Sequence, residues 1–203
     1  MPEDKRQWQD RYKKGSTPWD TGRVDKNFIE AFEKKLLKPC KALEIGCGTG
    51  NNSLWFDKQG FDITGLDLSP LAIEKAIDKN CKTGGSCSFL ALNILTDPLP
   101  KGPPFSLVFD RGCFHTFNSA HERALFAQKI SENLIEDGIW FSLIASKDNP
   151  PRENGPPKRS VVDISEAVEA FFEIQSITTG YFDSNSPVAP MIWICLMKKR
   201  TRY

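Results

Sequence analysis

Short apolar runs alternate with stretches of helical periodicity along most of the chain. Runs typical of buried parallel strands occupy residues 41–46, 62–67, 88–92, 105–110 and 139–145. Helices are predicted over residues 3–14, 25–37, 51–59, 69–79, 119–135 and 165–172. This alternation is typical of a doubly wound, Rossmann-like α/β fold, with a mostly parallel sheet and helices on both faces.

The C-terminal part departs from this alternation. Residues 173–182 and 191–197 are predicted to be strands, and only a short link containing Asn and Pro separates them. Strands joined so closely are expected to form an antiparallel pair. The sheet is thus expected to have seven strands, five of them parallel and the last two antiparallel.

The chain has 203 residues, of which 39% are hydrophobic, enough for one well-cored domain and too few for two of ordinary size. No linker or internal repeat divides it, so residues 1–203 are predicted to form a single domain. The net charge is +1, from 27 basic and 26 acidic residues. A charge so balanced argues against general binding to nucleic acid or to a membrane surface.

Localisation and metal binding are inferred from what the sequence lacks. The chain begins with polar and charged residues rather than a signal peptide, and no apolar run is long enough to span a membrane. The six cysteines form no C-x-x-C pair and show no zinc spacing with the two histidines. A cytoplasmic protein without a metal is therefore expected. Its oligomeric state stays open, and a monomer is compatible with the sequence.

Residues 43–51, Leu-Glu-Ile-Gly-Cys-Gly-Thr-Gly-Asn, join the first predicted strand to the helix after it. Gly46, Gly48 and Gly50 permit a tight turn and close approach of a ligand to the backbone. Asp67 ends the next strand about 20 residues after the first glycine, where a carboxylate usually holds a nucleotide ribose. These residues predict an adenosine-type cofactor.

The spacing of the glycines indicates which cofactor this is. The pyrophosphate-binding fingerprint is G-x-G-x-x-G, whereas this chain has Glu44-x-Gly-x-Gly-x-Gly. The difference favours a nucleoside ligand without a pyrophosphate, and S-adenosylmethionine is the commonest of these. The alternative from another enzyme class is an NAD-dependent oxidoreductase. This chain lacks the pyrophosphate-compatible glycine spacing that such an enzyme would need.

The glycine motif matches the first motif of the class I S-adenosylmethionine-dependent methyltransferases. The opening Trp8-Gln-Asp-Arg-Tyr12-x-x-Gly15-x-Thr17-Pro-Trp19-Asp20 resembles the capping segment of the thiopurine, thiol/halide and tellurite-resistance methyltransferases. Asp110-Arg111-Gly112 and Gly155-Pro156-Pro157 are similar to later motifs of the thiopurine group. The resemblance covers nearly the whole chain. It implies methyl transfer to a small molecule, with a thiol, thiopurine or chalcogen oxyanion favoured.

The resemblance also implies, by position, which residues bind the cofactor. The backbone of the glycine turn would approach the methionyl part, and Asp67 would accept both ribose hydroxyls because a carboxylate has two acceptor oxygens. Leu68 would pack on the adenine. The residues implied in the first half of the chain, after the opening segment, are Glu44, Gly46, Cys47, Gly48, Asp67, Leu68, Asn93 and Ile94.

Asn93 departs from the family pattern, because many class I relatives have an acid there for the adenine amino group. The amide oxygen of Asn93 can still accept that hydrogen bond, although without charge assistance. The alternative is an asparagine that only shapes the turn at the end of a strand.

Three aromatic residues lie in the polar, Gly/Pro-bearing opening of the chain. Trp8, Tyr12 and Trp19 resemble the aromatic lid of the family, which implies that residues 1–24 close over the cofactor. Aromatic faces attract cations, and the sulfonium of the cofactor is a cation. The alternative is that these side chains only attach the N-terminal helix to the core.

Candidates for the acceptor side lie in the loops that follow the later strands. Arg111 follows the C-terminal end of a strand, where ligands bind in such sheets, and the resemblance implies that it lies near the cofactor carboxylate or the substrate unless it is a surface arginine. His115 is a candidate general base, or else a histidine stacked in its loop, and Asp20 is a second base candidate. Arg152, in the proline-rich loop 149–160, would attract an anionic acceptor unless it is simply solvated.

The sequence therefore predicts transfer of a methyl group from S-adenosylmethionine to a small-molecule acceptor. A thiolate barely needs a base, so positioning and desolvation can supply much of the rate. The alternatives are an O- or N-methyltransferase that uses His115 as its base, and a cofactor-binding regulatory protein without catalysis.

Overall fold

The computed structural model describes residues 3–99, 104–150, 157–185 and 188–201, with the side chains of the first helix described from Gln7 onward. The strands are β1 (Lys41–Ile45), β2 (Asp62–Asp67), β3 (Ser88–Ala91), β4 (Phe105–Arg111), β5 (Leu134–Ala145), β6 (Phe172–Tyr181) and β7 (Met191–Lys199). The helices are α1 (Glu3–Lys13), α2 (Lys26–Glu33), α3 (Asn51–Lys58), α4 (Pro70–Thr83), α5 (Ala120–Asn133) and α6 (Val161–Val168).

The seven strands form one mixed sheet in the order β3-β2-β1-β4-β5-β7-β6. The pairs β1–β2, β2–β3 and β4–β5 are parallel. Strand β7 is antiparallel to both β5 and β6. The predicted seven-stranded, Rossmann-like sheet with an antiparallel C-terminal pair is confirmed.

By the density of its contacts the chain divides into two compact units. The first comprises Met1–Leu99 with Asp183–Asn185, and the second Pro100–Phe182 with Ser186–Tyr203. Each unit is described below by itself. The single domain expected over residues 1–203 stays a prediction.

Aromatic packing attaches α2 to α3 in the first unit. Phe28 and Phe56 are fully buried with ring centroids 5.6 Å apart, and Phe56 lies 4.9 Å from Phe61. Phe32 contacts Trp55 edge-on at 5.6 Å. Edge-to-face pairs of this kind add a modest stabilisation beyond the burial of their area. They fix α3, whose N-terminus follows the glycine turn.

A buried tryptophan organises the second unit. The Trp140 side chain is fully buried on β5, and its ring centroid lies within 6 Å of those of Phe114, Phe126 and Phe172. Its Nε1–H donates to the Asp110 carboxylate at 3.0 Å. The same carboxylate accepts hydrogen bonds from the backbone N–H groups of Cys113 and Phe114. It therefore also satisfies two buried or half-buried backbone donors in the loop after β4.

The structure moves several of the predicted boundaries, among them the end of helix α2, which lies at Glu33 rather than at residue 37. Helix α4 continues to Thr83, where Gly84 ends it in the left-handed region, rather than ending near Lys79. Helix α6 begins at Val161 rather than at residue 165, because Ser160 and Asp163 form a capping box. Strand β5 begins at Leu134 rather than at residue 139. The turn expected at Asp137-Gly138 lies within that strand, where the pairing with β4 is irregular between Leu134 and Ile139, and Asp137 has a φ of 60°.

None of the helices in the described ranges has the length and apolar character needed to cross a membrane. All six cysteines are free thiols. The cytoplasmic location stays a prediction.

Glu44 is a buried carboxylate beneath α3. It lies on β1 with 1% of its surface exposed, and it accepts hydrogen bonds from Asn52 Nδ2 at 2.8 Å and from Ser53 Oγ. Burial raises the pKa of Glu44 to about 7, against the opposing effect of these hydrogen bonds. The residue thus ties β1 to the first turn of α3 at some cost in desolvation.

Glu44 makes the stability of the protein depend on pH. The pKa of Glu44 is higher in the folded protein than in the unfolded chain, so folding favours the protonated side chain. Its contribution to the free energy of unfolding is therefore complete below about pH 4.5 and is lost as the pH rises through about 7. Glu44→Gln, which keeps the hydrogen-bonding shape, should therefore gain stability relative to the wild type between pH 5 and pH 8, by on the order of 2 kcal/mol. Urea unfolding at both pH values measures this. The exposed Glu74→Gln is the control, and a pH-independent difference for Glu44→Gln would contradict the burial effect.

Candidate functional site

The turn after β1 requires glycine at three positions. Gly46, Gly48 and Gly50 have φ values of 71°, 55° and 80°, in the left-handed region. A Cβ at Gly48 would lie 2.8 Å from Tyr12 Oη, and one at Gly50 would lie 3.0 Å from Phe89 Cζ. Side chains of the protein itself occupy the space beside Gly48 and Gly50, so glycine is required there both for the backbone conformation and for this close packing.

The glycine turn and Asp67 are in direct contact, as the sequence spacing suggested. Asp67 Oδ2 accepts the backbone N–H of Gly48 at 2.9 Å, and Oδ1 accepts that of Ser69 at 2.8 Å. Burial raises the pKa of Asp67, and the backbone hydrogen bonds oppose this. A carboxylate has about four acceptor positions, so Asp67 keeps acceptor capacity beside these backbone hydrogen bonds, as binding to neighbouring hydroxyls requires.

The aromatic residues of the N-terminal segment lie together. The Trp19 ring centroid is 5.4 Å from that of Trp8 and 6.1 Å from that of Tyr12, and Trp19 Nε1–H donates to Tyr12 Oη at 3.3 Å. The Arg11 guanidinium lies 4.7 Å from the Trp19 ring centroid. Tyr12 is buried against the glycine turn, whereas Trp8 and Trp19 are half-buried.

Helix α1 is attached to the start of α4. Gln9 Oε1 accepts from Ser69 Oγ at 2.6 Å and from the backbone N–H of Leu71 at 3.3 Å. These contacts show that the segment is held in the first unit. The lid over the cofactor stays a prediction.

Asp20 lies at the glycine turn with both carboxylate oxygens engaged. Oδ2 accepts from Thr49 Oγ1 at 2.8 Å, and Oδ1 accepts from Asn51 Nδ2 at 2.7 Å. This arrangement suits a carboxylate that holds the segment in place. The base role predicted for Asp20 is untested, and this geometry does not favour it.

The other predicted cofactor residues of the first unit differ in their surroundings. The Glu44 carboxylate is turned to α3, Leu68 is half-buried, and Ile94 is buried after β3. Asn93 Oδ1 accepts the backbone N–H of Leu95 at 3.0 Å, so Asn93 does shape the turn. Its adenine-binding role stays a prediction.

An acid that the sequence reasoning missed reaches the same turn. Asp97 Oδ2 accepts the backbone N–H of Asn93 at 2.9 Å. The signal was available, because Asp97 follows Asn93 by four residues in a loop that begins at the end of a strand. Asp97 therefore orders the loop after β3 together with Asn93.

His115 in the second unit is a buried neutral imidazole. Its Nδ1 accepts the backbone N–H of Ala145 at 2.9 Å, and 5% of its surface is exposed. Burial lowers the pKa of His115 to about 3, with further lowering by the charges of Arg159 and Arg111. A neutral imidazole that accepts at Nδ1 carries its proton on Nε2 and is a donor there. The geometry therefore argues against His115 as a general base.

The cationic groups near His115 differ in role. Arg111 ends β4, with its guanidinium carbon 4.8 Å from the Phe182 ring centroid. Arg159 is buried and donates to the backbone oxygen of Phe117 at 2.7 Å, so it orders the loop after β4. Arg152, Gly155 and Pro156 lie outside the described residues, and Pro157 is exposed.

A separate groove of about 520 Å³ lies on the first unit. It is lined by Gly22, Val24, Asn51, Leu54, Trp55, Lys58, Lys79, Lys82 and Thr83. Neither Asp67 nor a glycine of the turn lines this groove, so it is distinct from the predicted cofactor site. The described part of the chain brings together no group of three His, Cys, Asp or Glu side chains that could hold a metal ion.

Comparison with known proteins gives consistent relatives. A model of the family described as Thiopurine S-methyltransferase (TPMT) matches residues 3–186. Probable thiol methyltransferase 2 of Arabidopsis thaliana is 29% identical over 189 residues, which cover 90% of this chain and 79% of that protein. Thiocyanate methyltransferase 1 of Brassica oleracea is 27% identical over 164 residues, or 79% and 70% of the two chains.

Solved structures share the fold at lower identity. A structure described as "Conversion of a Disulfide Bond into a Thioacetal Group during Echinomycin Biosynthesis" has a TM-score of 0.79 at 23% identity, over 90% of this chain and 84% of that one. Magnesium protoporphyrin IX methyltransferase from Synechocystis PCC 6803, with bound S-adenosylmethionine, has a TM-score of 0.73 at 14% identity, over 98% and 99%.

The predicted resemblance, enzyme class and cofactor are confirmed by these relatives. The family match runs from the aromatic opening through the glycine turn and Asp67 into the loop that follows Phe182. The chain belongs to the thiopurine S-methyltransferase family and is an S-adenosylmethionine-dependent methyltransferase.

Proposed function

We propose that this enzyme methylates the sulfur of a small-molecule thiol, or another soft nucleophile such as a thiopurine or a chalcogen oxyanion. The observation that carries this proposal is the state of His115, whose Nδ1 is already used by Ala145 and whose pKa is far below neutrality. A hydroxyl acceptor needs a base to remove its proton, whereas a thiolate reacts without one. Two of the relatives are named for thiol and thiocyanate methylation.

The first unit carries the groups that fit the cofactor. Asp67 is proposed to accept the ribose hydroxyls with the acceptor capacity that its backbone hydrogen bonds leave, and the backbone of the glycine turn is proposed to approach the methionyl part. Leu68, Ile94 and Asn93 are proposed to surround the adenine. When bound, S-adenosylmethionine supplies an electrophilic methyl group on its sulfonium, and the chain contributes positioning and exclusion of water.

The second unit carries the groups proposed for the acceptor. His115 offers its Nε2–H as a donor, and Arg111 adds a positive charge that favours an anionic acceptor. Arg152 is proposed to act at the mouth of the pocket. All of these roles suit a thiolate, which needs an oriented approach and no proton acceptor.

We propose that residues 1–203 work as a single methyltransferase domain, with residues 1–24 as a lid over the cofactor. The family match supports this proposal, because it runs across both compact units. The contacts of Gln9 and Asp20 support it as well, because they hold the segment at the start of α4 and at the glycine turn.

The cofactor site predicts a ligand-specific change in stability. S-adenosylhomocysteine at a hundredfold excess over its dissociation constant should stabilise the protein by roughly 2.7 kcal/mol, and NAD should not. Asp67→Ala should weaken S-adenosylhomocysteine binding at least about tenfold, since it removes charge-assisted acceptors. Thermal unfolding and calorimetric titration measure the two effects. Asp62→Ala, at the exposed start of the same strand, is the control. A shift with NAD, or unchanged affinity in Asp67→Ala, would refute the assignment.

The acceptor side predicts how His115 variants behave. His115→Asn keeps an acceptor for the Ala145 N–H and loses the Nε2 donor. With a thiol acceptor its turnover should fall by less than about tenfold, and the wild-type pH profile should follow the pKa of the thiol. If the acceptor is a hydroxyl activated by His115, the same change should cost about 10²–10⁴-fold. Transfer of labelled methyl groups to a panel of thiols and alcohols distinguishes a thiol acceptor from a hydroxyl acceptor. Preferred methylation of an alcohol would overturn the proposal.

A further inference from the structure

Lys79 contacts the glycine turn from the last part of α4. Its side chain is half-buried, and its ammonium donates to Thr49 Oγ1 at 2.6 Å and to Asn51 Oδ1 at 2.8 Å. Thr49 belongs to the turn, and Asn51 is the first residue of α3. Lys79, about 30 residues further along the chain, thus holds the side-chain oxygens of both Thr49 and Asn51.

The chemistry of the ammonium sets the direction of the hydrogen bonds that follow. An ammonium has three donors and no acceptor, so both oxygens must accept from Lys79. The Thr49 hydroxyl proton and the Asn51 amide protons are then left to donate, and both donate to the Asp20 carboxylate, at 2.8 and 2.7 Å. Without the ammonium, the hydroxyl could rotate and the amide could turn over, and neither donor would be fixed on Asp20.

Charge and burial reinforce this arrangement. The positive charge of Lys79 and the negative charge of Asp20 face each other across two neutral side chains. Burial lowers the pKa of Lys79 and the charge of Lys75 adds to this effect, while Asp20 opposes both. Hydrogen bonds within such a partly buried network strengthen one another.

The network ends in the N-terminal segment. Asp20 directly follows Trp19, which donates to Tyr12 Oη, and Tyr12 lies against Gly48. Asp20 also accepts the backbone N–H of Gly22 at 3.3 Å, so it orders its own loop. Holding Asp20 on the turn therefore holds the aromatic residues that are proposed to cover the cofactor.

We propose that Lys79 is a positioning residue for cofactor binding, which acts through Thr49 and Asn51 to hold Asp20 and the N-terminal segment on the glycine turn. This inference rests on the proposed role of residues 1–24 as a lid. If the closed segment is the binding-competent state, the apparent affinity falls in proportion to the fraction of molecules in which it is closed.

The first test compares variants of two lysines on the same helix. Lys79→Met keeps an unbranched apolar side chain and removes the charged donor. It should raise the KM for S-adenosylmethionine and the Kd for S-adenosylhomocysteine about tenfold, with kcat within about twofold. Lys79→Arg should restore most of the affinity, since it keeps charged donors. Lys82→Met is the matched control, because Lys82 is exposed and pairs only with Asp78 among the described residues. Unchanged KM and Kd in Lys79→Met would overturn the proposal.

The second test begins with hydrogen exchange in the free protein, which needs no cofactor and therefore separates this inference from the proposed function. Backbone hydrogen exchange in residues 16–24 of the free protein should be faster in Lys79→Met than in the wild type or in Lys82→Met. In an Asp20→Asn background, Lys79→Met should add less than about twofold to the Kd, since both changes break one network. Equal exchange, or fully additive effects, would show that Lys79 does not act through Asp20. If the wild-type protein failed to bind S-adenosylhomocysteine, the proposed function would be refuted. The exchange comparison would still decide whether Lys79 holds Asp20 and the N-terminal segment on the glycine turn.

Discussion

The left-handed turn after β1 is the constraint on which the cofactor end of the molecule depends. Gly48 can donate its N–H to Asp67 at 2.9 Å because the backbone there has a φ of 55°. The same conformation starts α3 at Asn51 and leaves the space that Tyr12 occupies. One backbone conformation thus sets the position of the acid, of the helix and of the aromatic cover. A side chain at Gly48 would lie 2.8 Å from Tyr12 Oη and would strain this left-handed backbone.

Local signals made much of this architecture predictable. The strand over residues 62–67 has the predicted bounds, and Asp67 contacts the glycine turn because a strand–turn–helix–strand unit has little freedom in how it folds back. The start of α6 was predicted wrongly because its capping box has Asp163 in place of the usual Glu or Gln. Asp137-Gly138 has the composition of a turn, yet pairing with β4 resumes after it at Ile139, so strand β5 contains it as an irregularity in the pairing.

The partners of the polar side chains could not be predicted in this way. Residue type alone made His115 and Asp20 candidate bases. Tertiary contacts decide whether either has a free acceptor, and these come from far along the chain: Ala145 for His115, and Asn51 for Asp20. The His115 imidazole is buried beside two arginines and its Nδ1 is occupied, so it stays neutral at physiological pH. The pKa of a free histidine side chain, in contrast, lies close to physiological pH.

Three carboxylates whose pKa is raised by burial show how the molecule separates stability from binding. Glu44 and Asp110 are fully enclosed and bonded to side chains or backbone within their own units. Asp67 keeps some exposed surface and is bonded to two backbone N–H groups, which leaves acceptor capacity on both oxygens. Much of its desolvation has already occurred in the folded protein, so ligand hydroxyls gain hydrogen bonds with little further cost of burial. Affinity should then depend closely on the geometry of the turn, and the role proposed for Lys79, whose ammonium contacts the turn at Thr49, follows from this dependence.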